Sequence, residues 1–202
     1  MAINLQKGQR IDLTKSNPGL SKLLVGLGWD PVQSGGGGFF GSLFGGGSAP
    51  NIDCDASVLM LGENDKLQNN NNVVYFGNLK SKCSSVQHSG DNLTGAGDGD
   101  DEQILVDLSK VPANVHKLVF VVTIYDAVKR RQHFGMIRNA FIRIVNHTNQ
   151  QELLHYNLSD DYSGKTALIA GEIYRNGNEW KFGAVGNGTN STGLSEVVRS
   201  YS

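Results

Sequence analysis

Thr166-Ala167-Leu168-Ile169-Ala170-Gly171-Glu172-Ile173-Tyr174 and Glu179-Trp180-Lys181-Phe182-Gly183-Ala184-Val185 flank the turn Arg175-Asn176-Gly177-Asn178. The Asn-Gly pair supplies the positive φ angles of a tight turn, so the two runs read as adjacent antiparallel strands. Outward from this hairpin the pattern repeats. Ala56 to Leu61, Asn72 to Phe76, Gln103 to Leu108 and Ala140 to Val145 are short, rich in β-branched or aromatic residues, and bounded by Gly, Asn or Asp. Lys117 to Tyr125 is almost continuously apolar, which predicts a central strand buried on both faces. Amphipathic helical periods are few; Ala127 to Arg138 is the best candidate for a short helix or turn. The reading is all-β: a β-sandwich of two mostly antiparallel sheets.

A chain of 202 residues, 39% hydrophobic and with net charge −1, suits a single domain spanning 1–202 with a sizeable core. No basic bias or block of like charge points to nucleic acid. Met1 to Gly8 lacks the apolar run of a signal peptide, and no stretch approaches a membrane span in length. A cytoplasmic protein is expected, with a peripheral membrane association left open. Cys54 and Cys83 lack CxxC spacing and read as free, partly buried thiols. One segment departs from the strand pattern. Residues 33–50 place Phe39, Phe40, Leu43 and Phe44 between glycine tracts. That composition predicts a flexible insertion, with a hydrophobic finger for a partner or membrane surface as the functional alternative.

The chemistry concentrates in Asp91-Asn92-Leu93-Thr94-Gly95-Ala96-Gly97-Asp98-Gly99-Asp100-Asp101-Glu102. This stretch holds five carboxylates, and no Lys or Arg lies between Lys82 and Lys110. Like charges held this close repel by roughly 1–2 kcal/mol per pair at an effective surface dielectric. A cation removes that cost. Hard oxygen ligands on a Gly-rich turn are what Ca²⁺ selects. The spacing is not that of an EF-hand, because Leu93, Gly95 and Ala96 break its third, fifth and sixth positions. Further oxygen donors are therefore needed. Asp53 and Asp55 lie two apart at a strand start, Asp126 follows the buried strand, and Asn78 sits in a turn. Together these residues predict calcium-binding acidic loops at one end of the sandwich.

Other motifs are weaker. Neither Gly26-Leu27-Gly28 nor Gly95-Ala96-Gly97 opens a βαβ helix or precedes a Lys-Ser/Thr pair, which argues against a phosphate loop. His88, His116, His133, His147 and His155 are scattered, with no HExxH motif for zinc. No Gly-x-Ser-x-Gly elbow is present. The residues therefore favour a binding protein over an enzyme. The alternative is a metal-dependent enzyme acting on phosphate-containing substrates through the same carboxylates.

The chain resembles the TerD family of tellurite-resistance and general stress proteins. The resemblance rests on Val25-Gly26-Leu27-Gly28-Trp29-Asp30, Asp53-Cys54-Asp55-Ala56-Ser57, Tyr75-Phe76-Gly77-Asn78-Leu79-Lys80 and the Gly90 to Glu102 segment. Downstream it continues through Asn139-Ala140-Phe141-Ile142-Arg143, Tyr156-Asn157-Leu158-Ser159 and Gly171-Glu172-Ile173-Tyr174-Arg175. It covers essentially all of the chain outside 33–50. It implies a β-sandwich whose acidic loops bind two calcium ions. Most ligation would fall to Asp91, Asn92, Asp98, Asp100, Asp101 and Glu102, supported by Asp53, Asp55 and Asp126. Leu93 and Ala96 stand where the family pattern carries Arg and Glu, which leaves the carboxylates in place. The resemblance further implies cytosolic work near the inner membrane with other stress and tellurite-resistance proteins, and no established enzymatic reaction.

Overall fold

The computed structural model describes residues 2–31, 52–90 and 99–202. The insertion at 33–50 and the candidate ligands Asp91, Asn92 and Asp98 lie outside the described residues. The strands in chain order are β1 (Ile3–Leu5), β2 (Arg10–Asp12), β3 (Lys22–Pro31), β4 (Cys54–Leu61), β5 (Val73–Val74) and β6 (Val86–His88). They continue with β7 (Glu102–Asp107), β8 (Lys117–Ile124), β9 (Ile137–Asn146), β10 (Gln151–Asn157), β11 (Ala167–Asn176) and β12 (Glu179–Thr189). Two short helices accompany them, α1 (Ala127–Arg130) and α2 (Leu194–Ser200).

The strands form two sheets of six, ordered β1-β10-β9-β3-β7-β6 and β2-β12-β11-β8-β4-β5. β1 runs parallel to β10; the other pairings are antiparallel. The sandwich core interleaves alternate residues from both sheets, such as Val25 and Leu27 of β3, Ile104 and Val106 of β7, and Val58 and Phe120 of β4 and β8. β8 is buried on both faces, as its apolar run requires. Leu118, Phe120 and Val122 enter the main core. Val119 and Val121 join Leu59, Leu61, Ala167 and Val197 in a second layer roofed by α2.

The hairpin that anchors the sequence reading is present, with a different turn. Asn176 pairs with Glu179, so Gly177 and Asn178 are the central residues. Of these, Gly177 alone takes a positive φ, +63°, as the first central residue of a II′ turn does. The span Asn72 to Phe76 shortens to Val73–Val74. A 3₁₀ turn over Asn70–Asn72, capped by the Asn69 side chain, takes up its start. Ala127 to Arg138 divides into α1 and a 3₁₀ turn at Phe134–Met136.

β3 was not legible as a strand because of its glycines, and packing gives the reason for them. A Cβ on Gly26 would stand 2.2 Å from Asp100 Oδ1, and one on Gly28 2.4 Å from the Phe141 ring. β10 escaped because a register shift between Glu152 and Leu154 interrupts its alternation.

Candidate functional site

Asp100, Asp101 and Glu102 are consecutive, yet the entry into β7 sends them three ways. Glu102 points inward, in line with Ile104 and Val106, and is almost fully buried. Its Oε2 accepts a hydrogen bond from Ala56 N of the opposite sheet at 2.6 Å. His88, also buried, brings Nε2 to 3.1 Å from the same oxygen and 3.2 Å from Ala56 O. Gly90 N donates to His88 Nδ1 at 3.0 Å, which assigns the imidazole proton to Nε2. The reason lies in the sheet edge. β5 covers β4 only at Val58 and Leu59, so the Ala56 amide and carbonyl need partners at depth. A carboxylate and an imidazole from the other sheet supply them.

Asp100 turns to the opposite face of β7. Its side chain lies over Gly26, where the missing Cβ leaves room, and is itself solvent-inaccessible. Arg143 clamps it with Nε to Oδ1 at 2.7 Å and Nη2 to Oδ2 at 2.9 Å. Gln103 adds a bond at 3.1 Å. Arg143 also reaches Glu152 at 3.0 Å. These bonds, above all that to Asp100, hold the guanidinium pKa above its ordinary value.

Asp101 accepts from Trp29 N at 2.7 Å, while its own amide donates to Leu27 O at 2.8 Å. Burial raises its pKa; the Trp29 bond opposes this, and the charges of Asp30, Asp100 and Glu102 reinforce it. The inward thiol of Cys54 senses the same crowding. Burial pushes it well up, and the fields of Asp55, Asp53, Glu102 and Asp101 push it further.

The remaining candidates divide. Asp55 and Asp126 both line a groove of about 900 Å³ between the outer face of the second sheet and α2. Asp126 adopts a left-handed φ of +51° and lies 3.7 Å from Lys129. Asp53 faces Arg130 at 3.7 Å. Asn78 serves its own turn: Nδ2 donates to Val73 O at 2.7 Å, and its backbone pairs with Tyr75. Among the described residues, no three His, Cys, Asp or Glu side chains form a ready group for a metal. Cys54 and Cys83 are free thiols.

The TerD domain profile matches residues 1–201. The chain belongs to the TerD family. It is 67% identical over 201 residues to the stress response protein SCP2 of Bacillus subtilis (strain 168), covering 100% of both chains. It is 49% identical to the general stress protein 16U of the same organism, over 100% of this chain and 97% of that one. Against the tellurium resistance protein TerD of Serratia marcescens the identity is 44%, again over 100% and 97%. In three dimensions it matches a Streptomyces coelicolor A3(2) homologue of telluride resistance protein (TerD) with a TM-score of 0.63. That match covers 86% of this chain and 92% of that chain at 21% identity, and it shows the shared fold.

Two residues that matter to this TerD domain were not singled out in the sequence. His88 was one of five scattered histidines; its signal was the alternation Val86, Gln87, His88 with the outer two buried. Arg143 sits in a strand of apolar neighbours, and only the register Gly26↔Arg143 brings it to Asp100. Among the described residues, no helix is long and apolar enough to cross a membrane.

Proposed function

We propose that this TerD-family protein is a calcium-binding stress-response protein, acting as a Ca²⁺-dependent binding or scaffold module rather than as an enzyme. The observation that carries the reading is the acidic run that ends in Asp100, Asp101 and Glu102 at the entry to β7, with Asp101 held by Trp29 N and no Lys or Arg between Lys82 and Lys110. The donor set suits the ion: every candidate is a hard oxygen ligand. Bound Ca²⁺ would supply charge neutralisation and a fixed loop geometry.

The chain's own residues divide the work. Asp101, Asp53 and Asp55 stand with the residues at 91–98 as the ligands, for one or two ions. Asp100 and Glu102 chiefly hold the loop's exit, one through Arg143 and the other through Ala56 and His88. Asn78 and Asp126 have peripheral places. The names of its relatives support a role in chemical stress or tellurite resistance; partners among other proteins of that response, in the cytoplasm or at the inner membrane surface, belong to the same proposal.

Calorimetric titration tests this reading. Ca²⁺ should bind with measurable heat and raise the melting temperature relative to chelator. Asp98→Asn combined with Asp101→Asn should weaken binding at least tenfold, while Lys129→Ala leaves it unchanged. Equal loss in both variants, or no heat with the parent protein, would remove the assignment.

A further inference from the structure

The exposed apolar side chains of this molecule are unevenly placed. Among the described residues, five large ones are exposed: Ile3, Phe76, Leu79, Tyr125 and Val128. All but Ile3 lie at the end of the sandwich that carries the carboxylates. Phe76 and Tyr125 line the groove that Asp55, Ser57, Thr123 and Asp126 also line. The Tyr125 amide donates to Asp53 O at 2.8 Å. The Leu79 carbonyl accepts, also at 2.8 Å, from the amide of His88, the partner of Glu102. Val128 is 65% exposed on α1, two residues beyond Asp126. Apolar side chains exposed singly need no explanation, whereas four gathered at one end mark a contact surface.

Basic side chains stand among them. Lys129, Arg130 and Arg131 follow Val128 directly and are all exposed. Their carboxylate neighbours hold them loosely: Lys129 lies 3.7 Å from Asp126 and Arg130 3.7 Å from Asp53, both longer than a hydrogen bond. The Arg130 guanidinium lies 5.0 Å from the Tyr125 ring centre, which sets a cation and an amphipathic ring on one rim. The apolar groups project from the Tyr75–Asn78 turn and the four-residue α1, where a folded partner would be better met by a flat or concave face. Projecting apolar tips interleaved with Lys and Arg suit the boundary of an anionic bilayer. There apolar groups enter the acyl region and cations meet the headgroup phosphates.

We propose that this end of the sandwich docks on an anionic lipid bilayer when calcium is bound. Phe76, Tyr125 and Val128 enter the interface, and Lys129 and Arg131 meet phosphate groups. The proposal rests on the calcium reading and names the partner of that site. Asp53, Asp55, Asp126 and the acidic run outnumber Lys129, Arg130 and Arg131, so the metal-free end repels an anionic surface. Bound Ca²⁺ offsets that charge and leaves the cations and the apolar tips to act. A zwitterionic bilayer offers the same acyl region without the attraction for the cations, and binds weakly.

The test is sedimentation of the full chain with vesicles, in Ca²⁺ and in chelator. One set is phosphatidylglycerol mixed equally with phosphatidylcholine, the other phosphatidylcholine alone. The mixed vesicles should carry the protein down in Ca²⁺ only, and the zwitterionic ones in neither condition. Lys129→Gln with Arg131→Gln should weaken association about 25-fold, about fivefold for each cation. Phe76→Ser with Val128→Ser should weaken it at least about tenfold. All four positions are exposed, so both variants should keep the parent melting temperature and Ca²⁺ isotherm. Association in chelator equal to that in Ca²⁺, equal binding to both vesicles, or unchanged association in both variants would overturn the proposal. So would Ca²⁺-dependent self-association without lipid that the Phe76 and Val128 changes abolish, since the end would then be a face between copies. Calorimetric heat of Ca²⁺ binding without vesicle association removes this proposal alone. No heat removes the calcium reading and this proposal with it.

Discussion

Glu102 and Asp100 are two residues apart in one acidic run, and they make opposite uses of a carboxylate. Glu102 enters the sandwich interior, where Ala56 N and His88 surround it. Asp100 lies on the outer face above Gly26, clamped by a partly exposed Arg143. The first carboxylate substitutes for a missing strand neighbour across two sheets. The second ties the loop exit to β9 on its own sheet. A buried carboxylate can serve either end only with donors close at hand, because desolvation otherwise exceeds the gain. Asp101 stands between them with a pKa that burial raises.

That contrast predicts a graded set of effects. The largest belongs to the interior. Glu102→Ala leaves the Ala56 amide without its acceptor and opens a cavity, and should cost about 3–5 kcal/mol from the unmet donor and the lost packing together. Chemical denaturation measures it; a loss below about 1 kcal/mol would mean that the sheet edge is held by other groups.

The outer clamp should matter less, because Arg143 is partly solvated. Arg143→Met should destabilise the fold by about 1–3 kcal/mol through the stranded Asp100 carboxylate. Gly26→Ala should act alike, since its new Cβ displaces that carboxylate. If the two changes are made together, their effects should fall well short of additive. Full additivity would show that Gly26 and Arg143 do not act on the same group.

The smallest effect is that of Asp101, and its sign is distinctive. Its raised pKa means that the folded chain holds the proton to higher pH than the unfolded chain does. Stability without calcium should therefore decline as pH rises from the ordinary Asp range through the raised value. Melting curves in chelator across that interval should show the decline in the parent protein and its absence in Asp101→Asn. An identical pH profile in both would assign the trend to another group.

Much of this was legible in local pattern. β8 announced itself as a run of apolar residues, and β11 with β12 through a glycine turn between alternating strands. The acidic run from Asp91 to Glu102 marked the candidate site by charge density alone. β3 was hidden, because Gly26 and Gly28 look like loop residues until Asp100 and Phe141 are seen lying over them. His88 and Arg143 were hidden for a related reason: each acts across strands that are distant in sequence.

The sequence by itself determined the strand-rich composition, the TerD kinship and where the carboxylates are concentrated, since alternation, turns and charge spacing are properties of neighbouring residues. Only the tertiary structure decided which carboxylate faces the core, which meets Arg143, and that Asp55 shares a groove with Ser57, Thr123 and Asp126. Those outcomes depend on register between strands and on which side of a pleat each residue falls.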